Sequence, residues 1–177
     1  MNAFTRISAA AMLCAATSIA SAASEGDNYF GLGYGMVTYS EDGLGDVNPT
    51  ALVGRLGTYV TDNVSIEGRY GFGLIDDSLV ISGVTVDVEI DSIMGVYGVV
   101  HNDISADASI YGLLGFTKGE ITANLSRPGF QPVSANDSDT GLSFGAGLDT
   151  GKFNIEFTQY LSESTYDVTA LSLGFTF

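Results

Sequence analysis

The feature that most constrains this chain is an alternation of apolar residues with small or charged ones, repeated in short segments. It is sharpest over residues 64–74. Val64, Ile66, Tyr70, Phe72 and Leu74 fall on one face of an extended strand, and Ser65, Glu67, Arg69, Gly71 and Gly73 on the other. Strand side chains alternate sides with period two, so a continuous apolar surface backs onto charge and glycine. One such strand would serve a soluble sandwich equally well, with its apolar face turned inward.

Repetition decides between the two. Phe30, Leu32, Tyr34 and Met36 oppose Gly31, Gly33 and Gly35; over residues 51–60, Leu52, Leu56 and Val60 oppose Arg55, Gly57 and Tyr59. A fourth strand, within residues 84–100, sets Val84, Val86, Val88, Ile90, Met94, Val96 and Val100 against Thr85, Asp87, Glu89, Asp91, Gly95 and Tyr97. A fifth, over residues 108–118, has an ambiguous facing, because Ile110, Leu114 and Phe116 compete with Tyr111 and Leu113. The sixth sets Leu142, Phe144, Ala146 and Leu148 against Ser143, Gly145, Gly147 and Asp149, and the seventh sets Phe153, Ile155 and Phe157 against Asn154, Glu156 and Thr158. The eighth sets Leu171, Leu173, Phe175 and Phe177 against Ser172, Gly174 and Thr176.

Eight strands of about ten residues suit a tilted crossing of a bilayer. Short connections near residues 61–63, 101–107 and 149–152 alternate with long ones near 40–49, 75–83, 119–140 and 162–167. Short turns at one rim and long loops at the other belong to outer-membrane barrels. Backbone amides in hydrocarbon must all be paired, so a spanning sheet has to close on itself. The expected fold is therefore all-β, an eight-stranded antiparallel up-and-down transmembrane β-barrel. Its apolar faces point to lipid, which puts Arg55, Glu67, Arg69 and Glu156 inside as a paired charge network, since a lone interior arginine would cost several kcal/mol.

Composition agrees. The 177 residues are 45% hydrophobic yet contain no apolar run long enough for a spanning helix after the first twenty or so, and 23 glycines and 19 Phe and Tyr outweigh three prolines. The opening reads as a secretory signal: Arg6, an apolar stretch over residues 7–19, and Ala20-Ser21-Ala22 as the cleavage site. The expected division is a signal peptide over residues 1–22 and a barrel domain over 23–177. Cys14, the single cysteine, lies in the segment to be removed and lacks the setting of a lipoprotein acceptor. A formal net charge of −15 argues against nucleic-acid binding.

At these residues the chain resembles the OmpA/OmpX-type small outer-membrane barrels, the outer-membrane protein β-barrel or "porin family" proteins. The carriers are the glycine-rich opening over residues 29–35, the segments 55–63 and 66–71, and the closing strand over 171–177. The resemblance implies a cell outer-membrane location in a Gram-negative envelope, contact with lipid and lipopolysaccharide, and a monomer. It also implies that the barrel-assembly machinery reads the terminal strand, a role carried here to Leu171, Leu173, Phe175 and Phe177. The expected departure from OmpA is the lack of a peptidoglycan-binding domain after the barrel, and any aromatic girdle must use Tyr and Phe, since tryptophan is absent.

The expected function is a structural or surface-interaction barrel with acidic extracellular loops, not an enzyme and without a cofactor. The alternative is a narrow low-conductance channel: eight strands leave room for little but side chains, although Gly31, Gly33, Gly35, Gly71, Gly73, Gly145 and Gly147 would leave the lumen underfilled. A lipid A-modifying enzyme would need a His–Ser pair at the outer rim, and the single histidine, His101, is expected at the other end, as an interfacial turn residue. Asp87, Glu89 and Asp91, alternating on one strand face, are weak candidates for a divalent cation, with Glu41, Asp42, Asp46, Asp137 and Asp139 crowding the loops.

Overall fold

A computed structural model describes residues 24–41, 45–162 and 166–177. The signal-peptide reading and Asp42 lie outside them. Ten strands follow in order: β1 Asn28–Glu41, β2 Gly45–Val47, β3 Thr50–Thr61, β4 Val64–Ile75, β5 Asp77–Ile81, β6 Val84–Ser105, β7 Ala108–Ser126, β8 Val133–Thr150, β9 Phe153–Ser162 and β10 Tyr166–Thr176. Eight of them form a ring in the order β1-β3-β4-β6-β7-β8-β9-β10, every pair antiparallel. β10 returns to β1, with Gly31 opposite Thr176 and Glu41 opposite Tyr166, and closes an up-and-down barrel. The short strands β2 and β5 ride on β1 and β6 at one end.

The outer wall carries the apolar faces. Leu56, Ile66, Tyr70, Val96, Leu114, Phe116, Phe157, Leu171 and Leu173 are all exposed. Soluble monomers rarely show a contiguous apolar patch beyond a few hundred Å², so this belt belongs against hydrocarbon. Around the short-turn rim, Phe30 stacks on Phe177 and Phe153 packs against Phe175. Facing of the fifth barrel strand is settled: Tyr111 and Leu113 are buried in the bore, and Ile110, Leu114 and Phe116 face out.

Three expectations need correction. The connection expected over residues 119–140 is mostly strand: β7 runs on to Ser126 and β8 starts at Val133, paired from Leu125↔Val133 down to Ala108↔Thr150. Likewise the segment over 75–83 holds β5, joined to β6 by a tight turn in which Ser82 and Gly83 both take positive φ (52° and 80°), as a two-residue hairpin requires. The short connection expected over residues 101–107 narrows to residues 106–107, because β6 stays paired with β7 down to Ser105↔Ala108.

The third correction concerns the phase of β6. Ile90 pairs with Ile121 but Ser92 with Glu120, so Asp91 is an extra residue, a β-bulge. Above the bulge Val88 and Ile90 point into the bore; below it Ile93, Tyr97 and Val99 do, while Met94, Val96 and Val100 face out. The valines and Ile90 expected on one continuous face are thus split between inside and outside. Bulges recur at this height: Tyr160 is skipped in β9, where Thr169 pairs with Gln159 and Val168 with Leu161, and Leu74 is skipped in β4.

Candidate functional site

With outer faces committed to lipid, the bore and the ends carry the chemistry. The bore has two chambers. In the half nearer the short turns, β3 sets Arg55 opposite Arg69 of β4, so two like charges face each other across neighbouring strands. Carboxylates from β4 itself and from across the ring make this tenable. Arg69 Nε donates to Glu67 Oε1 at 2.5 Å, and its two terminal nitrogens grip Glu156 of β9, Nη2 to Oε2 at 2.8 Å. Arg55 reaches Asp149 of β8 at 3.4 Å and Glu156 at 3.9 Å, and donates to Thr176. The structure therefore gathers Arg55, Glu67, Arg69 and Glu156 into one buried cluster. Since β4 and β9, or β3 and β8, are not neighbours, these bonds cross the bore.

Sequence reading missed the tyrosines that complete the cluster. Tyr29 donates to Glu67 at 2.7 Å and Tyr111 to Glu156 at 2.8 Å, while Asn154 donates to the Tyr111 oxygen at 2.9 Å. Arg69 lies 4.8 Å from the Tyr97 ring centre. Their signal was present, because Tyr97 and Tyr111 stand in phase with lumen glycines. Those glycines are sockets more than voids. A methyl added at Gly31 would overlap the Arg55 side chain, one at Gly57 would overlap Tyr29, and one at Gly147 would overlap Tyr111. Around Gly33 and Gly35 there is a pocket of about 30 Å³. The expected underfilled lumen is therefore largely packed.

His101 sits within β6 and not in a turn, which corrects its expected place. Its ring lies 5.0 Å from that of Tyr59 and 5.8 Å from that of Tyr111, and its Nε2 is 3.1 Å from Ser65 Oγ. A histidine–serine pair does exist, but it is enclosed by tyrosines at the rim of the short turns.

Above the cluster comes a layer of hydroxyls. Tyr97 bonds Thr117, and Ser143 donates to Thr117 at 2.7 Å. Beyond that layer the bore turns apolar: Val37, Ala51, Ile90, Ile93, Tyr160, Leu161 and Ala170 form a buried cluster, flanked by Val53, Tyr166 and Val168. The bulges build it. By adding a residue at Asp91 and at Tyr160, they bring Ile90 with Ile93, and Tyr160 with Leu161, to the same inner surface. A cavity of about 60 Å³ lies here, and toward the mouth it is bordered by Asp137, Asp139, Tyr39 and Tyr166. Tyr166 donates to Asp139, and this bond, with the Thr140 amide, holds the Asp139 carboxyl below the usual range.

Outside the mouth, β6, β7 and β8 rise as a wall. β8 has 18 residues against 10 in its neighbour β9. Because their shared turn is short, the eight-residue excess, roughly 25 Å of strand at ~3.3 Å per residue, projects from the far end. Residues 133–142 of β8 pair with β7 on one side and with no described strand on the other. At the tip Arg127 stacks 5.3 Å from the Phe130 ring, and Phe130 and Val133 are exposed. The candidate cation ligands do not converge. Glu89 and Asp91 face outward on this wall, Asp91 accepting from Thr122, and Asp87 lies opposite Ser78. Among the described residues no three His, Cys, Asp or Glu side chains are placed to hold a metal ion. Leu171, Leu173, Phe175 and Phe177 line the outer face of β10, with Phe177 hydrogen-bonded through its backbone to Phe30.

A family model described as the outer membrane protein beta-barrel domain matches residues 7–177. Among solved structures, Ail, the attachment invasion locus protein of Yersinia pestis, is 23% identical with a TM-score of 0.58, covering 86% of this chain and 99% of Ail. A second Ail structure, in complex with the heparin analogue sucrose octasulfate, is 24% identical with the same TM-score and coverage. Neisserial surface protein A is 13% identical with a TM-score of 0.59, over 84% of this chain and 95% of that one. No curated protein matches the sequence.

Proposed function

Because the chain belongs to the outer membrane protein beta-barrel domain family, we propose that it serves as a monomeric surface-interaction protein of the outer membrane, contacting partners with the wall formed by β6, β7 and β8. The observation that carries this reading is the one-sided projection of that wall, with an open strand edge and an exposed Phe130 tip. Open edges invite another strand to pair, and exposed aromatics anchor interfaces. Charge sets the kind of partner. Asp46, Asp77, Asp87, Glu89, Asp91, Glu120, Asp137, Asp139 and Asp167 all belong to the mouth and wall, against Lys118 and Arg127 as the described basic residues there. Ail has been crystallised with a heparin analogue, a polyanion; an acidic wall would repel one, so the partner suited to this chain is a basic protein surface.

Neither channel nor enzyme is proposed. The Arg55–Asp149 and Arg69–Glu156 pairs bridge strands on opposite sides of the bore, which argues against solute flow, and the Ser65–His101 pair lies among Tyr29, Tyr59 and Tyr111 at the short-turn rim. The terminal strand is proposed as the signal read during barrel assembly, and lipopolysaccharide as the outer-leaflet neighbour of the belt. A direct test immobilises hen lysozyme, as a basic protein, and heparin, then passes the barrel in neutral nanodiscs over each. Retention on lysozyme that falls with salt and with deletion of residues 121–137 is expected, with none on heparin. Preference for heparin, or retention unchanged by the deletion, would refute the reading. Planar-bilayer recording should find no discrete conductance.

A further inference from the structure

The apolar chamber at the mouth of the bore is out of keeping with its setting. Interior faces of narrow outer-membrane barrels are polar because the outer faces have taken the apolar residues, and the lower half of this bore obeys that rule apart from Val99 and Leu113. In the upper half Val37, Val88, Ile90, Ile93, Leu161 and Val168 turn inward around a cavity. Two separate bulges are needed to aim Ile90 and Leu161 there. Apolar surface beside an open mouth is unfavourable where water wets it, and a ligand removes that contact on binding.

The rim specifies the ligand further. At the outer end the cavity wall changes from aliphatic to Asp137, Asp139 and the stacked rings of Tyr39 and Tyr166, whose centres lie 5.4 Å apart. No described residue of the cavity wall is basic. Carboxylates beside aromatic faces are the setting that favours an organic ammonium ion, through charge and through the ring quadrupoles. The volume limits the other end. About 60 Å³ is several times what one water needs and below the roughly 150 Å³ that accepts benzene in a dry cavity. It holds part of a ring or a few methylenes but excludes a whole lipid chain.

We propose that the mouth of the bore is a binding site for small amphiphilic cations, an apolar group entering between Ile90, Ile93 and Leu161 while an ammonium head rests at Asp137, Asp139 and the Tyr39–Tyr166 pair. The site shares Asp137 and Asp139 with the wall, but its apolar chamber lies within the bore and is lined by other residues. It needs no opening of the charge cluster below, because the ligand enters and leaves by the same end.

The test uses the full barrel in neutral nanodiscs, with empty nanodiscs subtracted, and three probes of similar size: benzyltrimethylammonium, benzyl alcohol and phenylacetate. Calorimetric titration is expected to rank them in that order, the cation at least tenfold tighter than the alcohol and the anion undetectable. Asp137→Asn with Asp139→Asn should erase the advantage of the cation and leave benzyl alcohol unchanged. Gly119→Leu supplies the steric arm. A Cβ at Gly119 would meet only Leu161, at 3.8 Å, so leucine has room to fill the chamber and should abolish binding of all three. A folded Gly119→Leu barrel that still binds the cation, or a wild-type barrel binding cation and anion alike, would overturn the proposal, as would no binding of any probe.

Discussion

The two halves of the bore are walled by the same strands and solve the same problem in opposite ways. Below, charges, tyrosines and glycines interlock: Tyr29, Arg55, Tyr97 and Tyr111 each sit against a glycine, and Arg55 and Arg69 find carboxylates across the ring. Above, aliphatic residues gather around a remaining cavity. The backbone between them changes by single inserted residues at Asp91 and Tyr160. Period-two alternation therefore dictates inside and outside only between bulges, and one extra residue reverses it.

The contrast can be broken first from below. Arg69→Met would strand Glu67 and Glu156 as buried carboxylates, and loss of one partner of a buried pair costs about 3–5 kcal/mol. Urea unfolding in micelles, followed by the shift between folded and heated gel mobility, should register that loss; a change under 1 kcal/mol would mean the cluster is hydrated. Above, Ile93→Ala should cost about 2 kcal/mol, at the low end for a core truncation because the chamber is already open. The same unfolding measurement would sharpen the comparison if this cost exceeded that of Arg69→Met. Gly31→Ala tests the sockets. Displacing Arg55 should cost about 1–2 kcal/mol as overpacking, whereas Gly33→Ala, beside the small cavity, should be close to neutral. A barrel indifferent to both would contradict the interlocked packing. Ser65→Ala removes one hydroxyl bond to His101 and should cost about 1 kcal/mol, with the His101 ring signals in NMR reporting whether the neighbouring tyrosines still hold it.

Much of this was legible in the sequence, for a physical reason. Strands β1 and β10 keep uninterrupted alternation, and β3 and β4 are each interrupted only near one end, at Val60 and Leu74, so their outward and inward residues could be assigned from order alone. Arg55, Glu67, Arg69 and Glu156 fell inside because they stood in phase with glycine. The illegible parts involve a change of phase. Ile90-Asp91-Ser92-Ile93 reads as continued alternation until pairing with β7 exposes the extra residue, and that slip carries Asp87, Glu89 and Asp91 away from the lumen side. Tyr160-Leu161 conceals a second slip in the same way. The length of β8 was also hidden, since Asn136, Asp137, Ser138, Asp139 and Thr140 are polar on both faces and leave no apolar side to mark strand, although Ile121, Ala123 and Leu125 do alternate in β7.

The seam between β1 and β10 has a kinetic consequence. On the edge away from β3, residues 31–41 find their partners in residues 166–176, nearly the whole length of the chain away. Loop closure across that distance has to precede any return from the pairing. Until the final strand arrives, the first keeps a bare row of amides and carbonyls with nothing beside it, and a nascent chain in that condition is open to joining a wrong neighbour. Closure is thus the last event of folding, and its rate should fall sharply when the final strand is weakened, even by changes that leave the finished cylinder nearly as stable as before.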